Sequence, residues 1–252
     1  MERLKNIVSF LDKFLDIKNI KDDSWNGLQF EGNPVVKKVM CTVDAGVTVF
    51  EKAAEEKADL IIVHHGHYWK NSNPCFIGAN KKRLEILYKN GISLYAAHLP
   101  LDMHPEIGNN MMLLKIIGAR KTKPFFSYDG KSISFCGVFQ KKVKLEEIVD
   151  RFNKSLGIRA RVLPYGPEDI KTVAVVSGGG GYAGFGEAIK EGVDLYVSGD
   201  TLEVFHSAKD FSLNVVFGGH HATETLGVKE IAKILEKKFD IESKFVDIPT
   251  GL

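Results

Sequence analysis

Leu4, Ile7, Val8, Leu11, Phe14 and Leu15 recur at helical spacing, with Glu2, Lys5, Asp12 and Lys13 between them, and predict an amphipathic first helix. Residues 22–32, DDSWNGLQFEG, are turn-rich and predict a loop, in which Trp25 and Phe30 are something to bury or to bind. Short apolar runs at 39–43, 59–63 and 92–97 read as buried strands, alternating with helical patterns at 47–57, 81–89 and 107–117. Such alternation predicts parallel strands joined by crossover helices.

The pattern weakens at 119–130, where Pro124, Asp129 and Gly130 predict a connection between two halves. Strands follow at 132–139 and 158–163 around a helix at 145–156. The alternation then resumes, with a strand at 172–176, a helix at 182–190, a strand at 213–217, a helix at 226–239 and a closing strand at 242–248 ended by Pro249. A weak internal repeat supports two related halves: EKADLIIVHHG (56–66) matches EGVDLYVSGD (191–200), and NGISLYAAH (90–98) matches DFSLNVVFGGH (210–220). The expected fold class is α/β: two related three-layer halves with mainly parallel sheets and a metal site between them at the strand ends. The expected domains are 1–122 and 123–252, with the C-terminal segment 225–252 packing with the first.

At 252 residues the chain is long enough for a substantial core, and 44% hydrophobic with 26% charged residues is the balance of a globular protein. A net charge of +2 gives no bulk attraction to nucleic acid or to an anionic membrane. No apolar run reaches the roughly 18 residues of a membrane span, and residues 1–16 mix charge with apolar positions, so a cytoplasmic location is expected. Cys41, Cys75 and Cys136 lie far apart without a CxxC pair, so any metal should meet nitrogen and oxygen ligands.

Seven of the eight histidines fall in three loops that follow strands: His64, His65 and His67; His98 and His104; His220 and His221. That concentration, with an acid in or beside each loop, points to a metal site. His220 and Glu224 are four residues apart, so a helix beginning within this segment puts both on one face. Adjacent His64 and His65 alternate faces in a regular strand and diverge in the turn beyond it, which favours two ions over one. Ions roughly 3.5–4 Å apart need a bridging group. Glu224 is the candidate bridge, and Asp102 is the second carboxylate, at the spacing His98-x-x-x-Asp102. His98, His104, His67, Asp44 and His206 are candidates to orient those ligands or move protons. Ser177, Gly178, Gly179 and Gly180, in SGGGG after a strand, form a candidate phosphate loop without the Gly-Lys-Ser of a Walker motif.

HHG after a strand, AHLPLDMHPEIGNN, SGGGG and GGHHATE, in that order and with WNGLQ near the start, resemble the GTP cyclohydrolase I type 2-like family of Nif-three-like dinuclear metal proteins. The resemblance spans nearly the whole chain. It implies a toroidal homohexamer of two-domain α/β subunits, with His64 and Asp102 on one ion, His65 and His220 on the other, and Glu224 bridging. HHGH replaces the HHP common in the family, and SGD at 198–200 replaces a TGE-like motif.

The expected cofactors are two divalent ions, with zinc, manganese, iron, cobalt and nickel all compatible with imidazole and carboxylate ligands. The expected activity is hydrolysis of a nucleotide or another phosphorylated small molecule. The alternative is a ring-shaped regulatory protein that presents Lys81, Lys82, Arg83, Lys141, Lys142 and Lys144 to single-stranded nucleic acid.

Overall fold

The computed structural model describes residues 1–252 and divides them into two units, Met1–Leu101 with Gly227–Ile248, and Asp102–Leu226 with Pro249–Leu252. The chain begins with β1 (Glu2–Arg3), α1 (Leu4–Phe14), β2 (Gly27–Phe30), β3 (Val35–Val36), β4 (Lys38–Asp44), α2 (Val47–Glu55) and β5 (Leu60–His65). It continues through α3 (Gly78–Asn90), β6 (Ser93–Ala96), α4 (Leu99–Asp102), α5 (Asn109–Ile117), β7 (Arg120–Tyr128) and β8 (Lys131–Lys144). Next come α6 (Leu145–Leu156), β9 (Arg161–Pro164), β10 (Asp169–Val176), α7 (Gly181–Glu191) and β11 (Leu195–Ser198). The last elements are α8 (Phe205–Asp210), β12 (Asn214–Phe217), α9 (His220–Phe239) and β13 (Glu242–Phe245).

The first unit is built on a five-stranded sheet in the order β13-β4-β5-β6-β2, parallel except at β2. Side chains alternate across it. Met40, Ile61, Val63 and Leu94 face Phe50 of α2 and Leu87 of α3, while the Tyr95 hydroxyl donates to Asp12 of α1 on the other side. Beside α1 lies the end of α9, with Phe10 edge-on to Phe239 at 5.6 Å. At the start of β4, Glu56 accepts from Lys38, Lys52 and Lys244, tying β4 and the end of α2 to β13; Lys244 and the other two ammoniums hold its carboxyl down at about 2.

The second unit carries a six-stranded mixed sheet, β7-β8-β10-β11-β12-β9. Here β10, β11 and β12 are parallel, and β7, β8 and β9 join antiparallel, so only the centre has the expected parallel character. Phe135, Val173, Val175, Leu195, Val197 and Val216 face α5 and α6, where Phe152 is 1% exposed. Cys136, Ala174, Val176, Tyr196 and Val215 face Phe185 of α7 and Ala208 of α8. Three layers result, and β4-β5-β6 and β10-β11-β12 are the repeated parallel cores that the internal match anticipates.

Three expectations are corrected. The segment at 119–130 is an edge strand, β7, whose mostly exposed residues lack a core-facing pattern and whose edge position tolerates Pro124. The loop at 22–32 contains the short edge strand β2. The division falls at Leu101/Asp102, not after residue 122, because Leu113, Leu114 and Ile117 of α5 belong to the second unit's core, and α9 passes to the first unit at Gly227, not at 225, with residues 249–252 returning to the second.

Phe152→Ala should cost about 3–5 kcal/mol, as for a large aromatic removed from a closed core, read as a lower urea midpoint. Glu56→Gln should lower the melting temperature at pH 7 in low salt. Because the Glu56 pKa is depressed in the fold, that stabilisation is present above its ordinary value near 4.5 and disappears as pH falls towards about 2, so the two proteins should converge in acid. One molar salt should shrink the difference at pH 7.

Candidate metal centre

In the first unit, β4, β5 and β6 end side by side, so their last residues are neighbours. His64 and His65 close β5, and His98 follows β6. One ligand nitrogen from each lies within 4.8 Å of the others, and the His64 ring centre is 4.7 Å from that of His65 and 5.0 Å from that of His98. Each ring is held by Nδ1. His64 donates to the carbonyl of Ala97 at 2.9 Å, His65 meets Asp44 Oδ1 at 2.7 Å, and His98 meets Asp22 at 2.9 Å. A carbonyl only accepts, so the His64 proton sits on Nδ1 and its lone pair on Nε2. Burial opposes charge on Asp22, but the hydrogen bond and positive field of His98, with Asn26 and the Ser24 amide, hold its carboxyl below the usual range. Trp69 stands edge-on to His98 at 4.9 Å.

In the second unit, His220 and Glu224 open α9 on one face, with His220 Nε2 3.3 Å from Glu224 Oε1. His220 Nδ1 meets Asp200 Oδ1 at 2.8 Å, repeating the acceptor-held imidazole of the first unit. Hydrogen bonding to Glu224, reinforced by its charge and by Asp200, raises the His220 imidazole to about 9 against the opposing effect of burial. Asp102, 5% exposed, accepts from Asn109 Nδ2 at 2.9 Å and from Ser177 Oγ at 3.0 Å, both on Oδ1. Glu224 is 3% exposed. Buried carboxylates and imidazoles presenting Nε2 are the donor chemistry of a divalent ion with nitrogen and oxygen ligands, so the histidine and glutamate groups could hold a metal ion.

The glycine loop serves this arrangement and is not a free cradle at its first two residues. The Ser177 amide donates to Asn110 Oδ1 at 2.7 Å and the Gly178 amide to Thr223 Oγ1 at 2.9 Å. Gly178 has φ +57°, and a Cβ there would lie 2.0 Å from Glu224 Oε1 and 2.9 Å from His220 Nε2. Gly179 similarly backs onto Asp200, and Gly180 onto the Tyr196 hydroxyl.

Of the candidate supporting residues, Asp44 touches His65 and His98 joins the imidazole cluster itself. His104 Nδ1 instead accepts the amides of Glu106 and Ile107 at 3.3 Å, and His67, whose Nδ1 lies 3.2 Å from Arg83, has its pKa lowered by burial and, secondarily, by the Arg83 charge. His206 is exposed on α8, edge-on to Phe205. His221 is buried, and its amide donates to Leu252. Asp22, Asn109, Asn110 and Thr223 are supports that sequence reasoning missed; DDSWN in a loop and GNN at the start of a helix were the only hints of the first three, and Thr223 had none. The basic clusters are partly neutralised, Lys82 by Glu51, and Lys144 by Glu168 and Asp169. No helix is long and apolar enough to cross a membrane.

A family model described as Duf34/NIF3 (NGG1p interacting factor 3) matches residues 2–250. The chain belongs to the DUF34/NIF3 family. A protein of Archaeoglobus fulgidus named GTP cyclohydrolase 1 type 2 homolog is 42% identical over 250 residues, covering 99% of each chain. Among solved structures, protein ybgI, described as of unknown function, superposes with a TM-score of 0.92 at 32% identity over 100% of both chains. TTHA1606 from Thermus thermophilus gives 0.89 at 40% identity, again over 100% of both.

Gly178→Ala should displace Glu224 from His220 and lower the melting temperature more than Gly181→Ala does. Gly181 shares φ +57° but has open space where the Cβ would go, so it isolates the backbone strain, about 1 kcal/mol, from the collision.

Proposed function

We propose that this DUF34/NIF3 protein is a dinuclear metal hydrolase acting on a nucleotide or another phosphorylated small molecule. The observation that supports this reading is the set of four imidazoles, His64, His65, His98 and His220, each held at Nδ1 by an oxygen acceptor, together with the buried carboxylates of Asp102 and Glu224. In this reading His64 and Asp102 would hold one ion, His65 and His220 the other, and Glu224 would be shared between the two. Such ions would supply Lewis acidity and would acidify bound water towards neutral pH.

The chain's own contribution is orientation. Asp44, Asp200 and the Ala97 carbonyl hold three rings with Nε2 presented as ligand and, by accepting at Nδ1, make Nε2 a better donor. Asn109 and Ser177 fix Asp102 at one oxygen. His220, charged without a metal, must release its proton before binding one, as a metal ligand must. Zinc, manganese, iron, cobalt and nickel all suit such a site. The name carried by the A. fulgidus relative makes guanine nucleotides the first substrates to try, and a toroidal homohexamer belongs to the same reading.

Elemental analysis of protein purified without added metal should find about two divalent ions per chain. His65→Ala and Glu224→Gln should lose at least one ion and all turnover in a screen of GTP and phosphoesters, while Asp200→Ala should weaken metal affinity by about 10–100-fold. Folded Glu224→Gln protein that kept both ions and full turnover would sink the mechanism. Light scattering should give about six times the chain mass of 28.0 kDa.

A further inference from the structure

In the second unit, a cavity of about 540 Å³ opens beside the start of α9, lined among others by Arg159, Arg161, Asp200, Thr201, Gly219 and His220. The two arginines are brought there by a fixed piece of backbone. α6 ends at Gly157, left-handed at φ +69°, and Asn153 then anchors the turn: its carbonyl accepts from the Gly157 and Ile158 amides, and its Oδ1 accepts from the Ala160 amide at 2.8 Å. Arg159 and Arg161 therefore flank a pinned residue. Arg161 opens β9 opposite Phe217, the last residue of β12, next to the turn that leads into His220. Both guanidiniums are exposed, and neither takes part in an ion pair or a side-chain hydrogen bond.

Two exposed cations without an acidic partner therefore line one cavity. Asp200 also lines the cavity, and its carboxylate is engaged by His220 Nδ1. The backbone around the cavity is also committed. Gly218 and Gly219 donate to Ser198 and Gly199, and His221 donates to Leu252. The side-chain donors lining the cavity that make no bond within the protein are the two guanidiniums and the Thr201 hydroxyl, and His220 lines the same cavity. Guanidiniums present forked N–H donors that match the oxygens of a phosphate, and the N-terminus of the 20-residue α9 adds positive potential.

We propose that Arg159 and Arg161 form the phosphate-binding subsite of this protein, gripping a terminal phosphate or diphosphate of the ligand beside His220. The subsite rests on the reading of His220 as part of a reaction centre for phosphorylated molecules, which it deepens by locating the phosphate on these arginines instead of on the glycine loop. Recognition is by charge and geometry at the phosphate, so the subsite does not distinguish one nucleoside or sugar from another.

The test is calorimetric binding of inorganic pyrophosphate, in low salt, to the full chain both metal-loaded and chelator-treated, using wild type, R159Q, R161Q, the double variant and K142Q. Each single arginine change should weaken binding by about tenfold and the double change by more, in both metal states, with K142Q unaffected. Metal content and melting temperature should stay at wild-type values, because the arginines contact neither the proposed ligands nor the core. Wild-type protein that binds no pyrophosphate, or a double variant that binds as wild type does, overturns the subsite. Arginine-dependent binding in a protein that takes up no divalent ion keeps the subsite and removes the metal reading, so the two failures are distinct.

Discussion

Everything at this site depends on how the Nδ1 atoms are held. An imidazole on a loop swings about two torsions, and only an acceptor at Nδ1 selects both its orientation and the tautomer that presents Nε2. Parallel strands provide those acceptors directly. Asp44 and His65 are partners in the register of β4 and β5, so the sheet that builds the core also sets the distance between carboxylate and ring. Ala97, one residue past β6, offers its carbonyl to His64 for the same reason.

The second unit uses the same three-strand core with different chemistry at its ends. Asp200 follows β11 and takes the role that Asp44 plays at the end of β4, while the ring it holds comes from the start of a helix. Burying Asp102 and Glu224 is costly without hydrogen bonds, and Asn109, Ser177 and His220 supply them. Gly178 accepts a left-handed conformation so that the loop can close against Glu224 without a side chain. Strain and buried charge gathered at one place, in a fold that is otherwise regular, are how a site differs from a core.

Much of this was legible beforehand because periodicity and residue type speak directly. The helix at 145–156 matches α6 residue for residue, and the buried strands at 39–43, 59–63 and 92–97 correspond to β4, β5 and β6, since a strand covered on both faces is a continuous apolar run. Edge strands are different. β7 shows only Phe125 buried, and β2 is four residues interrupted by a register shift between Leu28 and Phe30, so neither carries an alternation to read. The partners of the candidate site residues were hidden for another reason: Asp22 is 76 residues from His98, and Asn110 is 67 from Ser177, and no local pattern encodes such pairings.

The amino-acid sequence by itself determined the α/β class, the repeated parallel cores and the residues with ligand chemistry at strand ends, because these follow from local periodicity and from which side chains can bind an ion. Only the tertiary structure decided which acceptor holds each imidazole, where α5 belongs, and that the Ser177 and Gly178 amides are engaged by Asn110 and Thr223. It also brought Arg159 and Arg161, two ordinary surface cations in sequence, to the cavity beside His220. Hydrogen bonds and pockets are made by residues distant along the chain, and their geometry exists only once the sheets have set their register.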